Sequence, residues 1–190
     1  MSSSAEVLDR AQNTQLTPGR WVLDKNHTTI GFVARHMMVT KVRGRFEEFE
    51  GAIHVAENPE DSWAEATIET KSITTHAEQR DDHLRSSDFL AIDEYPQITF
   101  RSSKLERSGD GWKATGDLTI KGISRPVELD VTFEGTAVNP YGVEVAFFTA
   151  VTEIDREDWD IRWNVALESG GVLVSKKVRL EIEAQAQLER

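Results

Sequence analysis

The feature that most constrains the fold is a period-two alternation of apolar and polar residues, which recurs from Trp21 to Ala186. Successive side chains of a β-strand point to opposite faces of a sheet, so this alternation predicts strands with one buried and one solvated face. Turn sequences such as SGDG (residues 108–111) and NPYG (residues 139–142) divide the chain into about eight such strands. Regular strands of this kind predict an all-β sandwich or barrel in a single domain.

The strand faces predicted to point inward combine large apolar residues with small ones, among them Gly44, Ala66 and Gly116. Small inward residues leave volume, and a barrel of eight strands can enclose one small ligand. Small residues also accommodate barrel curvature and neighbouring aromatic rings, so an ordinary packed core fits the same pattern. The large residues predicted to line the interior are Ile30, Phe32, Phe46, Ile68, Phe100, Leu118, Phe133, Phe148 and Trp163.

The alternation stops in residues 75–92, where HAEQRDDHLRSSDFL indicates a short helix or a helical loop. Arg80 and His83 fall at helical spacing on one side of this segment. An arginine at such a position would bind the polar head of a ligand, and a diphosphate would match its planar fork. In the alternative interpretation, Arg80 forms an ion pair with a neighbouring aspartate and only holds the helix in place.

The chain has a net charge of −11 and contains no cysteine. The negative field repels nucleic acids and anionic membrane surfaces, so we expect neither as a partner, and Lys41, Arg43 and Arg45 are interpreted as a solvated face. The absence of cysteine excludes disulfides and thiolate metal sites. No segment is long and apolar enough to span a bilayer, and the N-terminal residues lack a signal-peptide pattern, so we expect a cytoplasmic protein.

Candidate catalytic and metal-binding residues are few. His76 and His83 lie seven residues apart, but a metal site needs two or three convergent ligands, and we expect none. His36 would either hydrogen-bond at a cavity mouth or pack at a strand end. The acidic residues around Arg156 and Trp159 have no distinguishable roles, and we expect an exposed loop there. Because no nucleophilic serine elbow or phosphate-binding glycine loop occurs, we predict no catalytic residue and no cofactor.

Several long motifs resemble the YceI-like family. They are HTTIGFVARHMMVTKVRGRFEEFEG (residues 27–51), RDDHLRSSDFL with YPQITF after it (residues 80–100), GDLTIKGISRPVEL (residues 116–129), and REDWDIRWN and GGVLVSKKV near the end. The resemblance implies an elongated, lipocalin-like, eight-stranded antiparallel barrel with a short helical lid. It also implies that polyisoprenoids or other long-chain amphiphiles bind inside the barrel. We therefore assign residues 20–190 to a YceI-like β-barrel domain and residues 1–19 to a flexible tail.

Three hypotheses for function follow. In the first, the protein carries or sequesters a polyisoprenoid, isoprenoid quinone or fatty-acid derivative, with its head group near Arg80, His83 and the strand ends. In the second, it is an enzyme acting on an isoprenoid or lipid-derived substrate, since His36 would lie with these two residues beside an apolar cavity. In the third, the barrel is packed, and Trp21 and Trp63 face outward to form a homodimer surface. The sequence leaves the length and the head group of the ligand open.

Overall fold

A computed structural model of the chain describes residues 16–190, which contain eleven β-strands, one α-helix and three short 3-10 turns. No helix in these residues has the length and apolar composition that crossing a bilayer requires. The helix is α1 (Glu78–Arg85), and the 3-10 turns are Pro59–Asp61, Thr70–Ser72 and Arg156–Trp159. The strands are β1 (Gly19–Leu23), β2 (Thr29–His36), β3 (Thr40–Phe46), β4 (Phe49–Val55), β5 (Trp63–Glu69), β6 (Ile73–Thr74), β7 (Gln97–Ser108), β8 (Gly111–Ile120), β9 (Ile123–Val138), β10 (Glu144–Asp155) and β11 (Lys177–Leu188).

The sheet closes into a barrel. Antiparallel hydrogen bonding joins the strands in the order β1-β4-β5-β7-β8-β9-β10-β11, and β11 pairs with β1 to complete the ring. Along the same edge, β11 pairs with β2 at residues 179–183 before it pairs with β1 at residues 186–188. β1 and β2 therefore act as parts of one long strand, and so do β3 with β4 and β5 with β6. The predicted eight-stranded antiparallel barrel is confirmed.

Short breaks separate the parts of these long strands. Glu47 and Glu48 lie between β3 and β4, and the N–H of Glu47 donates to the carbonyl of Ser72 at 3.2 Å. Phe46 and Phe49, which are separated by an odd number of positions, both belong to the interior cluster. The alternation of inward and outward side chains therefore slips by one residue here, and the structural cause is a break in the strand.

The expectation that Trp21 faces outward is wrong. Trp21 is fully buried, and its indole N–H donates to the carbonyl of Thr17 at 2.9 Å. Its cross-strand neighbours, Ile53 and Leu188, pack in the same interior cluster, and so does Leu16. The break between β1 and β2 shifts the alternation by one residue, which moves the opposite set of side chains inward. Leu16 and Thr17, which the sequence assigns to the flexible tail, contact the barrel; residues 1–15 lie outside the described residues.

Trp63 is half-buried and is covered by polar neighbours. Its ring stacks on His54 at a centroid distance of 3.8 Å, and the guanidinium of Arg101 lies 4.2 Å from its centroid. Since Trp21 is enclosed within the barrel, the two tryptophans do not form a common outer surface. The homodimer surface suggested by the sequence is therefore not present in the form expected.

The chain connections define two ends of the barrel, and the predicted helical lid lies at one of them. The lid end carries the β2–β3 turn (residues 37–39), α1, the β8–β9 turn (residues 121–122) and the segment between β10 and β11 (residues 156–176). The hairpin end carries the β4–β5 connection (residues 56–62), the β7–β8 turn (residues 109–110) and the β9–β10 turn (residues 139–143). α1 packs against β6 and closes over the lid end.

Candidate functional site

The barrel encloses an apolar cavity of about 420 Å³. Its wall reaches the lid end at Leu84, Leu90 and Ile161 and the hairpin end at Pro59 and Leu105, so the cavity extends along the barrel. Cavities of roughly 300–1,000 Å³ with mainly hydrophobic walls are typical of small-molecule sites. Aliphatic and aromatic side chains form most of this wall, which suits a long apolar molecule.

Eight of the residues predicted to line the interior do form part of the wall. They come from seven different strands, so the cavity is surrounded on most sides. The rings of Phe32 and Phe46 lie 6.0 Å apart, and those of Phe133 and Phe148 lie 5.4 Å apart. The eight residues are Ile30, Phe32, Phe46, Ile68, Phe100, Leu118, Phe133 and Phe148.

The small residues of the inner face have two roles. A Cβ atom added to Gly44 would collide with the ring of Phe32, and one added to Gly116 would meet the ring of Phe100 at 2.6 Å. These glycines therefore accommodate aromatic rings, as one interpretation of the sequence proposes. Ala66, in contrast, lines the cavity directly. Ring packing and an open interior occur together in this barrel.

Trp163 and His83 lie behind the wall at the lid end. The ring of His83 is edge-on to Phe89 at 5.0 Å and to Trp163 at 4.6 Å, and its Nε2 lies 2.9 Å from the carboxylate of Asp88. Phe89 lines the cavity, whereas His83 and Trp163 do not. These two side chains therefore support the wall, and a displacement of Phe89 would bring them into contact with the interior.

Arg80 holds the start of α1 and is not part of the wall. Its Nε donates to the hydroxyl of Thr75 at 2.7 Å, and its Nη2 donates to the Thr75 carbonyl at 3.0 Å. The buried carboxylate of Asp81 accepts hydrogen bonds from the N–H of Thr75 at 2.8 Å and from its hydroxyl. Within residues 16–190, Arg80 forms no ion pair, so Thr75 takes the place of the carboxylate partner that one interpretation suggested.

His36 is exposed at the end of β2. It forms a β-bridge with Val174, which lines the cavity, although His36 itself does not. The three polar residues behind the enzyme hypothesis thus have separate partners: His36 pairs with Val174, Arg80 bonds to Thr75 and His83 contacts Asp88.

The wall contains polar residues that the sequence analysis missed, and Arg156 is the most deeply buried of them. Its side chain is 4% exposed and lines the cavity. The guanidinium donates to three backbone carbonyls, those of Ile161 at 2.7 Å, Ser175 at 2.9 Å and Val174 at 3.3 Å. Arg156 therefore connects the 3-10 turn that contains it with Val174 and Ser175, which lie just before β11.

The charge of Arg156 has no carboxylate partner within residues 16–190. Burial lowers the pKa of the Arg156 guanidinium, and the nearby carboxylates of Glu157 and Asp155 act in the opposite direction without cancelling this effect. A buried cation without a counterion is energetically unfavourable. A negatively charged or strongly polar ligand atom beside Arg156 would therefore be favoured.

The expectation of an exposed loop around Arg156 and Trp159 is wrong, because both side chains are buried. Asp155 caps the 3-10 turn with its side chain, and the turn directs Arg156 and Trp159 into the end of the barrel. There the indole N–H of Trp159 donates to the carbonyl of Leu118 at 3.0 Å. The signal for this burial was the alternation of WDIRW (residues 159–163), which continues beyond the acidic run.

Ionisable groups are sparse at the cavity. Besides Arg156, the described wall contains Glu65, whose carboxylate lies 3.4 Å from His54 and 3.9 Å from Arg101. Within the described residues, no group of three or more His, Asp or Glu side chains is arranged to hold a metal ion.

A closed antiparallel barrel with a helix over one end and an apolar interior defines a class of small-ligand-binding β-barrels. The family model of the YceI-like domain matches residues 21–186. A UPF0312 protein of Staphylococcus aureus strain MSSA476 is 40% identical over 167 residues, which are 87% of this chain and 95% of the relative. The chain belongs to the YceI-like family, as its motifs predict.

Solved structures share this fold. BcnA of Burkholderia cenocepacia matches with a TM-score of 0.73 and 23% identity, covering 86% of this chain and 98% of BcnA. The YCEI protein of Campylobacter jejuni matches with a TM-score of 0.69 and 28% identity, covering 82% and 90%. A polyisoprenoid binding domain from Saccharophagus degradans, implicated in plant cell wall breakdown, matches with a TM-score of 0.66 and 14% identity, covering 89% and 98%.

Proposed function

We propose that the protein binds one long-chain amphiphile inside the barrel and carries or sequesters it. The observation that carries the proposal is the cavity, which extends from one end of the barrel to the other and is mainly apolar. Each CH₂ group moved from water into such a cavity contributes about 0.8 kcal/mol. Association costs roughly 4–15 kcal/mol, so a long chain repays this cost and a short one does not.

A polyisoprenoid, an isoprenoid quinone or a fatty-acid derivative is the ligand class that we propose. Phe32 and Phe46 belong to the cluster of the lid half, and Phe133 and Phe148 belong to that of the hairpin half. A chain lying along the cavity would contact both aromatic pairs. The S. degradans neighbour, which is described as a polyisoprenoid binding domain, supports an isoprenoid chain as the first candidate.

We assign the polar head of the ligand to the lid end, beside Arg156. A guanidinium has five N–H groups, and three of them are used by backbone carbonyls here. The remaining donors and the unpaired charge favour an anionic or strongly polar head. In this arrangement Arg80 holds the lid in place through Thr75, and His83 reaches the head group when Phe89 moves.

Native mass spectrometry of protein purified without detergent, followed by organic extraction, tests the proposal. We expect one long-chain lipid per protein, either retained from the host or after addition of an isoprenoid to the apo protein. Absence of binding in both experiments would refute the carrier function. Turnover of the bound lipid that is lost in His83→Ala would favour the enzyme hypothesis instead.

A pair of variants on β7 tests the position of the ligand. Phe100 lines the cavity and the neighbouring Thr99 is exposed, so Phe100→Glu should abolish binding while Thr99→Glu should leave it unchanged. Because a buried glutamate also destabilises the barrel, Ala150→Phe provides a second variant that fills the cavity without adding charge. Circular dichroism establishes folding, and retained binding in folded Ala150→Phe would contradict an internal site.

A further inference from the structure

Two segments of this acidic protein contain only basic charged residues. Residues 25–46 include five basic residues and no acidic one, and residues 169–180 include three basic residues and no acidic one. They lie side by side at the lid end, where His36 forms a β-bridge with Val174 and the N–H of Ser175 donates to the carbonyl of Arg35 at 3.0 Å. Apart from Lys25, which precedes β2, these cations lie on β2, β3 and around the start of β11, and we call this surface the basic face. Four of its cations form ion pairs: Arg43 and Arg179 with Glu181, Arg45 with Glu47, and Lys176 with Glu157.

Exposed apolar side chains project from this face. Met37, Met38 and Val39 form the β2–β3 turn and are 50%, 54% and 73% exposed, and Val165 is 46% exposed. Val165 belongs to the neighbouring lid-end segment, in which Leu173 joins it to the turn: the N–H of Leu173 donates to the Val165 carbonyl at 2.9 Å, and the N–H of Met37 donates to the Leu173 carbonyl at 2.8 Å. We call Met37, Met38, Val39 and Val165 the apolar tip.

The turn that presents the apolar tip adopts an unfavourable backbone conformation. Met37 has a φ of 49° and Met38 a φ of 68°, and the N–H of Val39 closes the turn on the carbonyl of His36 at 3.1 Å. Two-residue turns with positive φ at both positions favour Asn-Gly, because bulky residues are disfavoured in this region. Two exposed methionines at such positions indicate that the side chains themselves have a use.

Three cations of the basic face remain available near the apolar tip, although Glu168 lies three residues after Val165. Within residues 16–190, Arg35, Lys41 and Lys177 form no ion pair. The guanidinium of Arg35 donates to the carbonyl of Val39 at 3.1 Å, which places its charge at the tip. The acidic residues of α1 lie elsewhere on the lid end, because α1 packs against β6, which is separated from β2 by β3.

We propose that this basic face docks the protein on an anionic lipid bilayer, with the apolar tip inserted among the lipid head groups. Apolar side chains flanked by cations match a surface that is negatively charged outside and apolar beneath. A nucleic acid has no apolar layer to receive the tip, and a second copy of this chain would oppose it with the same positive charge. This proposal departs from the expectation, drawn from the net charge, that anionic membrane surfaces are not partners. Charges more than about 8 Å away are screened at physiological ionic strength, so the local cations decide the interaction.

The docking face adjoins the cavity. Ala34 and Val174, which line the interior, lie within a few residues of the apolar tip or of its β-bridge partner. A docked barrel would present its lid end and Arg156 to the bilayer from which an amphiphile is taken up or to which it is delivered. This use of the face rests on the proposed lipid binding, whereas docking itself requires no bound ligand.

Flotation of the full chain with lipid vesicles tests the proposal. We expect binding to vesicles of equal parts phosphatidylglycerol and phosphatidylcholine, and little binding to phosphatidylcholine alone. The double variant Met37→Asn with Met38→Gly replaces the tip by residues that the turn favours, so it should fold at least as well and bind on the order of tenfold more weakly. Lys41→Gln with Lys177→Gln should weaken binding by about fivefold for each cation removed.

A control at the opposite end completes the experiment. Tyr141 is 90% exposed at the hairpin end, and Tyr141→Ser should leave flotation unchanged. The proposal would be overturned by equal flotation with both vesicle types or by wild-type flotation of the tip variant. It would also be overturned if the protein bound no vesicles and instead formed a concentration-dependent dimer that the tip variant abolished. A protein that contains lipid but does not float overturns docking alone, and one that floats but binds no lipid overturns the proposed function alone.

Discussion

The two ends of the barrel are closed in different ways. At the hairpin end the ring of strands closes around Trp21, with Ala146 and Ala186 fully buried beside it. At the lid end the closure includes hydrogen bonds from side chains to backbone carbonyls, three from Arg156 and one from Trp159. Apolar packing is non-directional and scales with buried area, whereas a hydrogen-bonded network is directional and weakens as a unit when one donor is lost.

This difference indicates which end opens for a ligand. The segment that closes the lid end, residues 156–176, has a 3-10 turn and isolated β-bridges as its regular structure, while the hairpin end is held by long paired strands. Segments with few ladder hydrogen bonds open at a lower free energy than paired strands do. We therefore expect ligand exchange through the lid end. Variants at the hairpin end should lower the global free energy of unfolding, whereas variants at the lid end should mainly increase local opening.

The largest effect is expected for Trp21→Ala at the hairpin end. Removing a fully buried tryptophan leaves a cavity and should lower the free energy of unfolding by about 3–5 kcal/mol. Urea unfolding followed by circular dichroism measures this loss. Trp63→Ala is the matched control, because Trp63 is half-buried and should cost clearly less. Equal losses in the two variants would show that Trp21 does not close this end.

Trp21 also marks a limit of prediction from the sequence. Within a long strand the alternation identifies the inner face, and for this reason residues such as Phe100 and Leu118 were correctly expected in the wall. Across a break in a strand, the inner face on one side does not predict the inner face on the other, because a slip of one residue exchanges the two faces. The break at residues 24–28 produced the wrong orientation for Trp21 in this way.

The polar part of the site was less accessible to prediction for another reason. The guanidinium of Arg80 is suited to bind a lipid head group, but it donates its hydrogen bonds to Thr75, five residues earlier. Arg156 lies in a run of acidic residues that suggests a solvated loop, and its position depends on the carbonyls of Val174 and Ser175, on the far side of the lid-end segment. The residues that neighbour Arg156 in the sequence do not indicate that carbonyls almost twenty residues later accept its hydrogen bonds.

The second prediction concerns Arg156→Met, which removes the charge and keeps much of the volume. The three carbonyls lose their donor, and we expect a loss of about 2–3 kcal/mol in the free energy of unfolding. Hydrogen exchange should accelerate in residues 161–176 and stay unchanged in β1. Uniform acceleration at both ends would contradict the view that the lid end opens independently.

The third prediction concerns the attachment of α1. Thr75→Val removes the hydroxyl that accepts from Arg80 and donates to the buried carboxylate of Asp81. We expect a loss of about 1–2 kcal/mol and faster dissociation of a bound fluorescent lipid, because the lid is less firmly held. Thr99→Val, on an exposed site of β7, serves as the control. An unchanged dissociation rate would mean that α1 takes no part in opening the lid end and that residues 156–176 open it alone.

The smallest effect is expected in the wall between the two ends, at the break between β1 and β2. Burial raises the pKa of the Asp24 carboxyl, but hydrogen bonds from His27, the Asn26 N–H and Gln187 more than compensate, so the pKa lies below its ordinary value of 3.8. Because the folded-state pKa is the lower one, the stabilisation by Asp24 is complete above pH 3.8 and is lost as the pH falls through the folded-state pKa.

Asp24→Asn should therefore lower the free energy of unfolding by about 1 kcal/mol at neutral pH and make little difference in strong acid, where the wild-type carboxyl is protonated. Urea unfolding over this pH range measures the change. Glu50→Gln is the control, because the Glu50 side chain is 83% exposed and should contribute little at any pH. If the effect of Asp24→Asn stayed constant down to strong acid, the carboxylate charge would not be the source of the stabilisation. The hydrogen bonds of Asp24 would then stabilise the junction of β1 and β2 without it.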